Sequence, residues 1–362
     1  MGKKLRVGIL GGTGMVGQRF VTLMENHPWF EVTVIAASAR SAGQTYEEAV
    51  GGRWKMETPM PEYVKKMEVL NINEIEKVTE NVDFVFSALN MSKDEIKEIE
   101  YAYAKAETPV VSNNSAHRWT PDVPMVVPEI NHEHFDVIND QKKRLGTKRG
   151  FIAVKPNCSI QSYTPALTAW KEFEPYEVVC TTYQAISGAG KTFKDWPEMV
   201  ENIIPYIGGE EEKSEQEPLR IWGHIENGEI VKAQSPKITC QCIRVPVLNG
   251  HTAAAFVKFR KKPTKEQLIE ALVNFKGLPQ EMELPSAPKQ FIRYMEEDDR
   301  PQVKLDVDFE NGMGISIGRL REDSIYDWKF VGLSHNTLRG AAGGAVLCAE
   351  TLAAKGFITP KE

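Results

Sequence analysis

The chain has 362 residues, 41% hydrophobic and 26% charged, the composition of a globular protein long enough to divide into two domains. Its 44 Lys and Arg against 50 Asp and Glu give a net charge of −6, which excludes a broad nucleic-acid-binding surface. No stretch approaches the roughly 18–20 consecutive apolar residues of a membrane span, and the five cysteines lack framework spacing, so they read as free thiols of a reducing compartment.

The opening MGKKL runs without an apolar leader into residues 4–10 (KLRVGIL), a buried strand ending in glycines, so the cytoplasm is the expected location. Residues 14–26 follow with Val16, Phe20, Val21 and Leu23 at helical spacing, and His27-Pro28 stops that helix. Strands are predicted at 31–37 (EVTVIAA), 83–89 (DFVFSAL) and 109–113. A helix is predicted at 92–105, where Ser92 and Glu95 make a capping box. Strand alternating with helix is the pattern of a parallel, doubly wound sheet. Beyond residue 157 the pattern changes. Residues 159–173 read as a helix. Alternating runs at 177–185, 238–247, 252–259, 303–309, 314–320 and 328–333 then read as strands of a mostly antiparallel sheet. An amphipathic helix is predicted at 264–275, and the charge-dense segment 210–217 reads as solvated or as lying at a domain cleft. An Ala/Gly-rich helix at 337–354 can close back onto the first domain.

Glycines recur at 8, 11, 14 and 17 between the first strand and the first helix. A dinucleotide requires a tight turn, close backbone approach to its pyrophosphate and a helix N-terminus facing the anion. A glycine turn without a ligand is the plainer alternative, and the strand-to-helix context argues against it. Many NAD-binding folds end the second strand with an acid for the ribose hydroxyls; this chain reads ASARSAG at 37–43, with Arg40 between Ser38 and Ser41. A guanidinium fork suits a 2′-phosphate, hence NADP(H); a solvent-facing loop arginine is the other reading.

Cys158 follows a break at Pro156 and opens the helix predicted from residue 159, where the dipole and unpaired N–H groups would stabilise a thiolate. Taken alone, it reads equally as a structural thiol. Cys180, Cys240, Cys242 and Cys348 fall inside strands and a helix and read as small core residues. His251 lies between two strands, either an acid/base near neutrality or a surface turn histidine. His132 and His134 lack a third ligand nearby, so no metal site is expected.

The segments GGTGMVGQRF (11–20), SARSAG (38–43), PNCS (156–159), QAISGAG (184–190), EEEK (210–213), RVPVLNGHTAA (244–254) and NTLRGAAGGA (336–345) occur in that order over essentially the whole chain. Together they resemble the aspartate-semialdehyde dehydrogenases, in the archaeal and fungal-type branch. The resemblance implies an α/β protein: a Rossmann-like, doubly wound NADP-binding domain over 1–157, completed by a C-terminal helix in 335–362, and an α+β catalytic and dimerisation domain over 158–334. It implies NADPH-dependent reductive dephosphorylation of L-aspartyl 4-phosphate to L-aspartate 4-semialdehyde and inorganic phosphate. That step serves lysine (through diaminopimelate), threonine, methionine and isoleucine biosynthesis, in a homodimer or homotetramer.

Residue by residue, the resemblance implies Cys158 as the acyl-forming nucleophile beside Asn157, His251 as acid/base, and Gln184 orienting the acyl intermediate. It implies Arg244 for the substrate α-carboxylate, Glu210 for its ammonium, and Lys213 for the phosphate together with Arg118 and Asn114. For the cofactor it implies Gly11, Thr13, Gly14, Met15, Val16, Ser38, Arg40, Ser41, Ser87, Ala88, Ser187, Gly188 and Asn336. The residue types suit such a substrate on their own account: two cationic sites and one anionic site. Glu210 and Lys213, three apart, share a helical face, although an exposed ion pair would look the same. The rival readings are a malonyl- or succinyl-CoA reductase on this scaffold, a phosphorylating glyceraldehyde-type dehydrogenase, and a redox-sensing NADP-binding module. Glu210 argues against the first two, whose substrates carry no ammonium.

Overall fold

Residues 3–361 are described in a computed structural model. The first sheet holds β1 (Leu5–Leu10), β2 (Phe30–Ala37), β3 (Val69–Asn71), β4 (Phe84–Ser87), β5 (Val110–Ser112) and β6 (Ile152–Val154). All are parallel, in the spatial order β3-β2-β1-β4-β5-β6. Their runs are apolar on both sides because helices cover both faces. Helix α1 (Met15–Met24) follows the glycine turn, and α2 (Lys93–Lys105) starts at Ser92, whose hydroxyl accepts from the Glu95 N–H while Glu95 reaches back to the Ser92 N–H. The strand order reverses between β1 and β4, and a sheet of this kind takes its ligand outside the strands' carboxyl ends at such a point.

The second half of the chain contributes α3 (Thr164–Ala169), β7 (Pro175–Gln184), α4 (Glu210–Ile221), the hairpin β8 (His224–Glu226) and β9 (Glu229–Val231), β10 (Lys237–Arg244), β11 (His251–Phe259), α5 (Lys265–Val273), β12 (Ile292–Met295), β13 (Ile315–Glu322), β14 (Trp328–Ser334) and α6 (Ala342–Ala354). The second sheet has the order β10-β7-β11-β14-β13-β12. Its three central pairings are antiparallel, and the outer pairs β10·β7 and β12·β13 are parallel. This strand sense gathers chemistry at one edge. Gln184 and Arg244 end β7 and β10 in direct register, and His251 opens β11 opposite Ser334, the last residue of β14.

Helix α6 returns to the first sheet, and its Ala345, Val346 and Ala349 join a buried cluster with Val7, Ile9, Phe20 and Phe86. A second buried cluster runs from Val34 and Val85 of the first sheet through Tyr163 and Trp170 to Val178, Ala255 and Phe330 of the second. The two sheets therefore share one packed interior. The segment entering α6 is also pinned by charge: Arg339 donates to both oxygens of Glu129, at 3.0 and 2.7 Å, with both side chains buried.

Three expectations are corrected. Residues 159–173 are not one helix: a 3₁₀ turn at Ser159–Ser162 stops at Tyr163, α3 restarts with Pro165 in its first turn, and Lys171–Phe173 is a further 3₁₀ turn. A proline is tolerated in the first turn of a helix and breaks its interior. Residues 303–309 are not a strand; Val303–Asp306 is one helical turn. Asp306 is buried there because it pairs with Arg293 and Arg300 and accepts from the Gln302 N–H. Of the two readings of segment 210–217 the solvated one is excluded: it is the start of α4, which buries Glu210, Ser214 and Glu217 along one face against Asn157 and Arg118. The short strands β3, β6 and β12 and the hairpin fell outside the sequence reading.

Breaking a buried ion pair from one side costs about 3–5 kcal/mol, because the remaining charge has no partner. Arg339→Ala should lower unfolding stability in urea by that order. Glu129→Gln with Arg339→Met, which removes both charges, should recover part of the loss. A loss below about 1 kcal/mol for Arg339→Ala would show that the pair does not pin the segment.

Candidate active site

Three loops meet where the carboxyl ends of the first sheet face the converging edge of the second. After β6, Lys155 to Ser159 carries Cys158; after β7, Ala185 to Gly190 turns over it; and His251 starts β11 beneath that turn. Cys158 Sγ lies 3.3 Å from His251 Nε2. Cys158 is half-buried, whereas Cys180, Cys240, Cys242 and Cys348 are buried, so among the five it is the reachable thiol. Glycines make the approach possible. A Cβ on Gly340 would sit 2.7 Å from the Cys158 Cβ, and one on Gly188 would sit 3.2 Å from both an Arg244 nitrogen and His251 Cε1.

Charged groups surround the sulfur. Arg244, 6% exposed, is held by one hydrogen bond from its guanidinium to the Ala185 carbonyl at 2.6 Å. Glu210 takes the Asn157 Nδ2 on both oxygens at 3.0 Å and the Lys213 Nζ at 2.8 Å. Burial pushes the Glu210 carboxyl up, but Lys213 and Asn157 outweigh it and hold it below the usual carboxylate range. Arg118 is buried against Glu217 at 3.0 Å, and Asn114 donates to Ser87 Oγ and Glu100 at 3.0 and 3.2 Å. Gln184 is buried at the end of β7, its carboxamide donating to Thr182 Oγ1 at 3.2 Å.

The glycine turn closes one wall of a cavity of about 470 Å³ whose lining includes Thr13, Gly14, Met15, Val16, Ala88, Asn113, Asn114 and Gly188. This groove fits a dinucleotide on two observations. Gly11 has φ +79° and a Cβ there would stand 2.4 Å from the Ala88 carbonyl, so only glycine lets the turn lie this close to β4. Asn113 also aims a buried carbonyl oxygen without a hydrogen-bond partner among the described residues. Ser38 and Arg40 lie exposed beyond β2, outside that cavity, with Ser41 buried beside them. Ser187 and Asn336 do not line it either. Asn336 Nδ2 donates to Ser187 Oγ at 2.8 Å and its Oδ1 accepts from the Gly250 N–H at 2.7 Å, which ties the β7 turn to the residue before His251.

Against known proteins, the family model of the semialdehyde dehydrogenase NAD-binding domain matches residues 6–138, and that of the semialdehyde dehydrogenase dimerisation domain matches 167–339. The aspartate-semialdehyde dehydrogenase of Methanothermobacter thermautotrophicus is 41% identical over 96% of this chain and 99% of its own, and that of Schizosaccharomyces pombe 42% over 98% and 99%. The chain belongs to the aspartate-semialdehyde dehydrogenase family. A crystal structure of the Candida albicans member with NADP superposes with a TM-score of 0.87 at 38% identity, covering 98% of this chain and all of that one.

Family membership leaves open how the thiol is activated, and here the geometry overturns the sequence expectation. The turn after Cys158 is a single 3₁₀ turn, so no long helix lends its dipole. Burial, with Glu210, pushes the Cys158 thiol above its usual range, although Lys155, Arg118 and Arg244 pull it down. Burial and the Arg244 charge hold His251 down to about 3, so its imidazole is neutral at pH 7. The Ala185 N–H donates to His251 Nδ1 at 3.0 Å, which leaves the ring proton on Nε2, directed at sulfur. The resting pair is thus a neutral donor imidazole beside a thiol.

The sequence reading missed Lys155, Ser214, Glu217 and Gly340. Lys155 is a buried lysine bonded to the Pro156 carbonyl, with burial and Arg118 lowering its ammonium to about 8. Glu210, Ser214 and Glu217 carry a readable signal, the i, i+4, i+7 spacing of one helical face. No metal-binding group of His, Cys, Asp and Glu occurs among the described residues, and His134 instead bonds Asn131 and the Gly223 carbonyl.

Only the thiolate is alkylated by iodoacetamide. Native enzyme should therefore be labelled at Cys158 alone, at a rate that climbs with pH past the ordinary thiol value of about 8.5 and shows no inflection between about pH 5 and 8. Peptide mapping of labelled protein checks both points. An inflection near neutrality would mean that His251 titrates there and that the resting pair is ionic.

Proposed function

We propose that this chain reduces L-aspartyl 4-phosphate to L-aspartate 4-semialdehyde with NADPH, releasing inorganic phosphate. The observation that carries the proposal is the reachable Cys158 sulfur at 3.3 Å from His251 Nε2, with a buried guanidinium and a buried carboxylate close by. Identity above 40% with the archaeal and fungal enzymes over nearly the full chain supports the same reading. We take 1–157 with the helix in 335–362 as the cofactor-holding domain and 158–334 as the catalytic and dimerisation domain.

Arg244 holds the substrate α-carboxylate by a two-point fork. Glu210 takes the ammonium and releases Lys213 to the phosphate, with Arg118 and Asn114 in support. Cys158 sulfur then bonds the acyl carbon as the carbon–oxygen bond to phosphate breaks, and the thiol proton leaves with the phosphate. Gln184 and Asn157 orient the resulting thioester. NADPH, when bound, would supply the hydride that the thioester carbon accepts, giving the anion of a thiohemiacetal. His251 keeps its Nε2 proton and donates it as a hydrogen bond to the sulfur, which stabilises the thiolate expelled as the carbon–sulfur bond breaks, and the thiolate then takes its proton from solvent. The groove from Gly11 to Val16 with Ser87 and Ala88 takes the dinucleotide, Ser187, Gly188 and Asn336 border its nicotinamide end, and Ser38, Arg40 and Ser41 take the 2′-phosphate.

A reductase for an acyl-CoA is not favoured, because its acid has no ammonium to balance the buried Glu210. Free thiols fit a cytoplasmic enzyme, and no helix among the described residues is long and apolar enough to cross a membrane. Assembly as a homo-oligomer through the second sheet accords with the dimerisation-domain match.

The reverse assay tests the proposal. Aspartate semialdehyde, phosphate and NADP⁺ should yield NADPH in a phosphate-dependent manner. Arg40→Ala should weaken NADP⁺ at least about ten-fold, the range of a lost charge-assisted contact, and leave NAD⁺ nearly unchanged. Turnover without phosphate, or a preference for an acyl-CoA in the forward direction, would overturn the assignment; equal loss for both nucleotides would confine Arg40 to supporting its loop.

A further inference from the structure

Helix α4 meets the nucleophile's loop at three successive points. Glu210 accepts from the Asn157 carboxamide, Ser214 Oγ lies 3.1 Å from Ser159 Oγ, and Glu217 Oε2 accepts from the Asn157 backbone N–H at 2.6 Å. Glu217 has a second engagement: its Oε1 accepts from an Arg118 terminal nitrogen at 3.0 Å. Arg118 spends two further donors on the Lys155 and Asn113 carbonyls, at 3.1 and 3.4 Å. A guanidinium has five N–H groups, so two remain for a ligand. Glu217 is 0% exposed and Arg118 6%. One buried carboxylate therefore joins the arginine that serves phosphate to the amide that precedes Cys158.

We propose that Glu217 is a positioning residue, which fixes the distance between the phosphate-binding cation and the nucleophilic sulfur by holding Arg118 and the Asn157 amide on its two oxygens. The proposal rests on reading Cys158 as the nucleophile and Arg118 as a phosphate ligand. No neutral side chain of the same shape can replace it. A glutamine has one acceptor oxygen, and its amide group would turn a donor toward either the guanidinium or the N–H. Arg118 would then lose its register while the loop kept its cover. In the oxidative direction phosphate is a substrate, so this displacement reads out in the phosphate KM. A purely structural pair would instead lower stability and change both substrates alike.

The experiment measures phosphate-dependent oxidation of aspartate semialdehyde by NADP⁺ in wild type, Glu217→Gln, Arg118→Gln and the double variant, with thermal unfolding of each. Glu217→Gln should raise the phosphate KM at least ten-fold and keep the aspartate semialdehyde KM within three-fold. In the double variant the phosphate KM should match that of Arg118→Gln alone, because Glu217 acts through Arg118. If Glu217→Gln does not fold, Glu217→Asp takes its place; it keeps the buried charge but is too short to span both partners. A phosphate KM within two-fold of wild type, or effects that multiply in the double variant, would overturn the inference and leave the function standing. A wild-type enzyme without phosphate-dependent turnover would overturn the function and the inference with it.

Discussion

Removing charge from water is the constraint around which the catalytic region is built. A carboxylate or guanidinium taken into a protein interior costs several kcal/mol unless it is paired and hydrogen-bonded. Glu210, Glu217, Arg118 and Arg244 are all at least nine-tenths buried within one neighbourhood. Each is bonded to a group that also belongs to the site: Glu210 to Asn157 and Lys213, Glu217 to Arg118 and the Asn157 amide, and Arg244 to the Ala185 carbonyl alone, which leaves its other donors to a ligand. The same bonds that offset desolvation therefore fix the geometry in which a doubly charged amino-acid phosphate would be held.

That economy explains the resting state of the thiol. In a dry site, burial and Glu210 oppose ionisation, and the cations Lys155, Arg118 and Arg244 offset them only in part. His251 cannot act as an ion-pair partner, since the Ala185 N–H occupies Nδ1 and Arg244 disfavours a second positive charge. The sulfur is held protonated and poised. Under the proposed reaction it loses its proton as phosphate leaves, and the substrate's own carboxylate reduces the field of Arg244 on the imidazole.

Much of this was legible in the sequence, and the omissions have physical causes. The parallel sheet was readable because its strands are short apolar runs punctuated by glycines and a capping box, and these are local signals. Cys158, His251, Arg244 and Glu210 stood out by residue type and motif, and the structure does bring them together. It does so through strand sense, β10 parallel to β7 and β11 antiparallel to it, which no local pattern states. Glu217 was lost because a charged residue at helical spacing reads as solvated until its partner, ninety-nine residues away in Arg118, is known. The alternation at 303–309 misled because Asp306 is buried by pairing with Arg293 and Arg300, close before it in the chain, and not by lying on the inner face of a strand. The helix expected after Cys158 failed where Pro165 forces a restart, and with it failed the dipole argument for an ionised thiol.

The central claim is that Cys158 carries the acyl group, and the direct measurement is mass spectrometry of enzyme mixed with aspartate semialdehyde and NADP⁺ in the absence of phosphate. The expected result is a burst of NADPH stoichiometric with enzyme and an aspartyl group on the peptide holding Cys158, discharged when phosphate is added. Turnover with no adduct on that peptide, or an adduct on another residue, would contradict the account.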